Sequence, residues 1–209
     1  VNLLNYLSKN KESGFTLVEL LIAMTIGLII LTALSSTFLM QRKIYDVQEQ
    51  IVEMVQTARA AMDMMTREIR MAGYDPTGAG GFDGITYNSS QLQILADLDE
   101  NGSTTDSNEN ITYKYYNNSE YPYQIKRKTG DGYFQPFAEN IESFTFDYLE
   151  ADGVTEVITS DDNNKIRQIN ITITARTTKA DADYTHPTYG DHYRRYTLES
   201  VITPRNLGL

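Results

Sequence analysis

LLIAMTIGLIILTALSSTFLM, residues 20–40, is a run of 21 residues without a charge. A helix of about 20 apolar residues crosses the hydrocarbon core of a bilayer. No face of this segment is polar enough to meet water, so a membrane span is favoured over a buried core helix. Ahead of it lies a polar leader, VNLLNYLSKNKESG, carrying Lys9, Lys11 and Glu12. A secretory signal would also begin with a basic region, but no small-residue cleavage site follows the apolar stretch. Any cut falls before the apolar segment, and the span is kept. Arg42 and Lys43 flank its far end, and a long distal domain is translocated largely regardless of such charges. Glu19 stands at the start of the span. A carboxylate costs roughly 2.5–3.5 kcal/mol at the centre of a membrane helix and less near its end. Glu19 therefore reaches the headgroups or meets a cation at its own depth.

Beyond the span the apolar period changes. Ile44, Val47, Ile51, Met54, Ala58, Met62, Met65 and Ile69 recur every three or four residues, which is one stripe on a helix. Asp63 and Arg67 are four apart and can pair on the wet side. Gly73 supplies a stop and Pro76 prevents resumption, so Phe15 to Ala72 reads as one helix. All seven Met lie between Met24 and Met71, and their helical period assigns the stripe to packing rather than to a promiscuous binding face.

After Asp75 the texture is β. The turn-rich TGAGGFDG fills Thr77 to Gly84. Alternation then marks strands through Leu92 and Ile94, through Ile111, Tyr113 and Tyr115, through Phe144, Phe146 and Tyr148, through Ile169, Ile171, Ile173 and Ala175, and through Tyr196, Leu198, Ser200 and Ile202. One polar face on each suits an antiparallel sheet covered on one side by the helix, an α+β head.

The 209 residues hold 18 Lys and Arg against 28 Asp and Glu, a net charge of −10. That balance argues against nucleic acid as a partner. With no Cys there is no disulfide framework, thiolate metal site or cysteine nucleophile. No phosphate-binding loop, dinucleotide fingerprint or serine nucleophile elbow is present, and no enzyme is expected. His186, Asp191 and His192 could hold a metal or a base, but their spacing is loose and a third ligand is not evident, so a surface loop is the reading preferred. Lys126, Arg127 and Lys128, flanked by Tyr123 and Tyr133, read as a solvated strand face.

One loop carries a sharper signal. Asp97-Leu98-Asp99-Glu100-Asn101-Gly102 opens like an EF-hand-type calcium loop. Asp97, Asp99 and Asn101 offer alternating oxygens, Gly102 permits the sharp turn, Ser103 offers a backbone carbonyl, and Asp106 and Glu109 are candidates for the closing carboxylate. Position twelve is Asn108, with Glu109 one place late, and the flanks read as strands instead of helices. A polar hairpin loop is the plainer alternative, since Asp, Asn and Gly favour turns for their own reasons. Calcium is the one candidate cofactor.

Gly14-Phe15-Thr16-Leu17-Val18-Glu19 ahead of the bare apolar run resembles the class III signal of type IV pilins and type II secretion pseudopilins. MTREIRMAGYDP after the long helix and TPRNL near the end resemble the W-type minor pilins, and the J-type pseudopilins share much of the plan. The resemblance implies a prepilin peptidase that cuts after Gly14 and methylates the amine of Phe15, and a Glu19 that pairs with the Phe15 amine of a neighbouring subunit. It implies a leader over 1–14, a membrane and assembly helix over 15–40, an amphipathic continuation over 41–73 and a β-rich periplasmic or extracellular head over 74–209. The expected function is that of a minor pilin that starts or caps a pilus from the inner membrane, with other minor pilins and the major pilin, or pseudopilins, as partners. A J-type secretion pseudopilin and a membrane-anchored enzyme or metal-dependent binding module are the alternatives. The lack of Cys departs from pilins that staple a C-terminal loop with a disulfide.

Overall fold

A computed structural model describes residues 14–79 and 81–207. The expected leader, apart from Gly14, lies outside them, as do Lys9, Lys11 and Glu12. One helix, α1 (Leu17–Met71), is followed by β1 (Ile85–Thr86), β2 (Gln91–Leu95), β3 (Asn110–Tyr116), β4 (Gln124–Thr129), β5 (Gln135–Ala138), β6 (Ile141–Leu149), a short 3-10 helix (Ser160–Lys165), β7 (Gln168–Arg176) and β8 (Arg195–Ile202). The chain divides into two units, one ending at Asp46 and one beginning at Val47, six residues beyond the expected change at 40/41.

In the first unit every described residue from Gly14 to Asp46 is exposed except the half-buried Gly27. Its hydroxyls turn inward on their own helix. Thr25 donates to Leu21 O at 2.8 Å, Thr32 to Leu28 O at 2.8 Å, and Ser36 and Thr37 to Ala33 O at 2.9 and 3.0 Å. These bonds satisfy the hydroxyls within the helix itself.

In the second unit Met54, Ala58, Ala61, Met62, Met65 and Ile69 of α1 are buried on one face. Ile51 is half-buried, whereas Ile44 is 49 % exposed, so the packed part of the stripe starts later than its period alone predicts. Asp63 and Arg67 pair on the solvent side as expected. Arg70 sits in the last turn, where a cation suits the negative end of the helix dipole. Gly73 then takes φ +73°, the left-handed conformation of a helix stop, and its N–H donates to Leu95 O at 2.9 Å. The chain returns to this point at Gly84, where a Cβ would stand 2.2 Å from Gly73 N. Only glycine fits that approach of backbone to backbone.

The head contains two antiparallel sheets where one was expected. The first runs β1-β2-β3-β4-β5 and the second β6-β7-β8. The alternating residues fall inward as read: Leu92 and Ile94, Ile111 and Tyr113, Phe144 and Tyr148, and Ile169, Ile171, Ile173 and Ala175 are all buried. They join the α1 face in one apolar core. β5 escapes a periodicity reading because it is four residues long and contains Pro136, which is tolerated at the sheet edge that β5 forms.

The basic run on β4 is not a solvated face. Lys126 is 5 % exposed, with its ammonium over the rings of Tyr121 and Tyr116. Arg127 Nη2 donates to Glu68 Oε1 at 2.7 Å, and the buried Tyr113 hydroxyl donates to Glu68 Oε2 at 2.5 Å. This network ties α1 to β3 and β4. Burial, then the adjacent Glu68 carboxylate, push the Tyr113 phenol well above its ordinary range against the pull of Arg127, and burial does the same to Tyr148.

A phenol whose folded pKa is raised contributes stability that is fully present below its unfolded pKa of about 10 and is lost as the pH climbs through the folded value. In a spectrophotometric alkaline titration, at least two of the 15 Tyr should therefore ionise only as the protein unfolds, and Tyr113→Phe should remove one of them. Reversible ionisation of all 15 near pH ~10 with the fold intact would contradict this assignment.

Candidate functional site

At the N-terminus Thr16 precedes α1 and Glu19 is the helix's third residue. Thr16 N–H and Oγ1 each donate to Glu19 Oε2 at 2.9 Å, and Glu19 N–H donates back to Thr16 Oγ1 at 3.2 Å. This is a reciprocal capping box. It gives Glu19 a local task that the sequence reading missed, although the T-x-x-E spacing of residues 16–19 was there to signal it. Phe15, just ahead of the box, is 85 % exposed, next to Gly14, at which an added Cβ would meet nothing within 4 Å. Gly14, Phe15 and Glu19 thus lie together around the first turn of α1.

The second candidate is the β2–β3 loop. Asp97 follows β2 and Glu109 precedes β3, so the ends of the hairpin bring together residues twelve apart in sequence. Carboxylate oxygens of Asp97, Asp99 and Glu109 lie within 4.8 Å of one another. Asp97 Oδ1 accepts from Asn101 N at 3.2 Å and its Oδ2 from Gly102 N at 3.0 Å. Asp99 Oδ1 accepts from Asn101 N at 3.2 Å, and Asn101 Oδ1 accepts from Ser103 N at 2.7 Å. Gly102 adopts φ +78° and Glu100 φ +65°, which sharpen the turn. Of the two closing candidates, Glu109 joins the carboxylate group, while Asp106 contacts Asn101 Nδ2 at 3.2 Å. The loop is anchored to the end of α1, since Asp97 N–H donates to Tyr74 O at 2.7 Å.

The His186–His192 segment is held by loop contacts. His186 Nδ1 accepts from Thr188 and Tyr189 N–H at 3.1 and 3.3 Å, and His192 Nδ1 lies 2.6 Å from Tyr184 O. Asp191 does not serve His192 as an orienting carboxylate. Its Oδ2 pairs with Arg195 Nη2 at 2.6 Å, and that guanidinium, 5 % exposed, also bridges to Glu142. Hydrogen bonding from Arg195 holds the Asp191 carboxyl well below the usual carboxylate range.

A helix among the described residues that is long and apolar enough to cross a membrane, with an antiparallel β head after it, is the architecture of the pilin-like proteins. The prokaryotic N-terminal methylation motif matches residues 9–35, which include Gly14, Phe15 and Glu19. Residues 47–196 match the family of prepilin peptidase-dependent protein B, and the chain belongs to that family. Among solved structures, a type IV-like pilin from Thermus thermophilus is similar at 12 % identity and a TM-score of 0.47, over 74 % of this chain and 98 % of that one. No curated protein matches.

Proposed function

We propose that the chain is a minor pilin. Prepilin peptidase cuts between Gly14 and Phe15 and methylates the new amine. The apolar helix holds the subunit in the inner membrane with its head in the periplasm. The mature subunit, Phe15 onward, then joins other minor pilins in a low-copy complex that starts or caps a type IV pilus, next to the major pilin. Its role is assembly, without catalysis of its own. The observation that carries this reading is the exposed apolar surface of the first unit, much of it within the segment, residues 9–35, that matches the methylation motif. Such a surface is covered by lipid before assembly and by the helices of neighbouring subunits after it.

The W-type assignment rests on MAGYDP, residues 71–76, and on TPRNL, residues 203–207. Both segments meet at the end of α1, where Arg205 N–H donates to Arg70 O at 3.1 Å and Asn206 Nδ2 to Met71 O at 3.4 Å.

Deletion of the chain from its native host tests the role. Loss of surface pili with protein secretion intact is the expected result. Loss of secretion with pili intact would instead make it a J-type pseudopilin, and hydrolytic activity in the purified protein would overturn an assembly role without catalysis.

A further inference from the structure

We infer that the β2–β3 loop is a calcium site, built from Asp97, Asp99 and Asn101 and closed by Glu109 from the foot of β3. Acidic residues gather in many surface loops without an ion. What separates this group is the state of Glu109. It is 3 % exposed, and its Oε1 accepts from Leu98 N at 2.6 Å and Asp99 N at 3.0 Å. Its other oxygen, Oε2, is buried with no hydrogen-bond partner at all. Asp97 is also fully buried, and among the described residues no Lys, Arg or His forms an ion pair with Asp97, Asp99 or Glu109. A buried carboxylate oxygen without a donor and without an ion-pair partner carries a desolvation cost. A hard cation offsets it.

The geometry suits calcium. Two oxygens bound to one calcium at 2.3–2.6 Å lie at most about 4.6–5.2 Å apart, and the three carboxylates meet that limit. The N–H groups of Asn101, Gly102 and Ser103 hold the Asp97, Asp99 and Asn101 oxygens in place. Glu109 stands at position thirteen of the loop counted from Asp97. The strand carries it into the position that a helix would supply at twelve in an EF-hand. Asp106, linked to Asn101 Nδ2, orients that amide and lies beside the first ligands. An ion here joins the end of β2 to the start of β3, and through the Asp97–Tyr74 bond it stiffens the junction with α1.

A site with three carboxylates on a hairpin loop binds with a Kd of about 10⁻⁴–10⁻³ M, as in extracellular modules. In detergent, the full chain should melt roughly 3–10 °C higher in 10 mM calcium than in chelator. Glu109→Gln keeps an acceptor for Leu98 and Asp99 N–H but lowers the charge, and should lose most of that shift. Terbium, excited through tyrosine, gives a second readout on the unaltered chain. Its luminescence should rise on binding and be displaced by calcium over the same concentration range. Equal melting temperatures in calcium and chelator, a Glu109→Gln protein that keeps the full shift, or terbium emission that calcium does not displace would each overturn the site.

Discussion

Replacing Gly14 with leucine is expected to leave the chain uncut in its native host, with cleavage slowed on the order of 100-fold or more. A peptidase needs its scissile carbonyl within a few tenths of an ångström of the catalytic groups, and a misplacement of about 1 Å costs about that factor. The substitution is informative because a Cβ at Gly14 meets nothing within 4 Å. A loss of processing therefore reports on how closely the enzyme approaches the backbone. Immunoblots of membranes should show only the longer species. Cleavage of Gly14→Leu at the wild-type rate would place the cut elsewhere.

The second large effect is expected at Glu19, and the capping box shows how to isolate it. Glu19→Ala removes both the charge and the acceptor for Thr16 N–H and Oγ1. Loss of a cap costs about 0.5–2 kcal/mol, so this variant alone confounds two roles. Glu19→Gln keeps the acceptor and removes only the charge. The proposed cut at Gly14 would free the Phe15 amine, and methylation would leave that amine cationic. A carboxylate held at the same depth is then its natural partner on a neighbouring subunit, because an unpaired charge there is costly. Both variants should insert and be processed. Both should be recovered with the other minor subunits about tenfold less well, which corresponds to roughly 1.4 kcal/mol. If Glu19→Gln assembles like wild type while Glu19→Ala fails, the residue matters as a cap and the pairing role is wrong.

The parts of this molecule that were readable in advance are those set by local pattern. The uncharged run at residues 20–40, the three-and-four spacing from Met54 to Ile69, the stop at Gly73 and the alternation of Ile169 to Ala175 each follow from a single periodicity. The turn at Asp97 was legible for the same reason, since Asp97, Asp99 and Asn101 fall within five residues. What stayed hidden depends on chain segments meeting across long separations. Glu68 and Arg127 are 59 residues apart, and nothing local marks Arg127 as paired or Lys126 as buried under aromatic rings. The split into two sheets turns on which strands pair. Alternation reports only which face is apolar, and it cannot distinguish β5 as an edge from β6 as the start of another sheet. The choice of Glu109 over Asp106 is likewise a matter of hairpin geometry, with one residue fixed beside β3 and the other in the loop before it.

On the proposed function, this chain enters an assembly as a processed pilin-like subunit, through the end of α1. The most direct test is the intact mass and N-terminal sequence of the protein recovered from native membranes by affinity capture with its partners. The expected species is a chain that begins at Phe15 with a methylated amine, accompanied by other subunits processed in the same way. A stable N-terminus at any other residue in the captured complex would contradict it, as would a processed chain recovered without any such subunit.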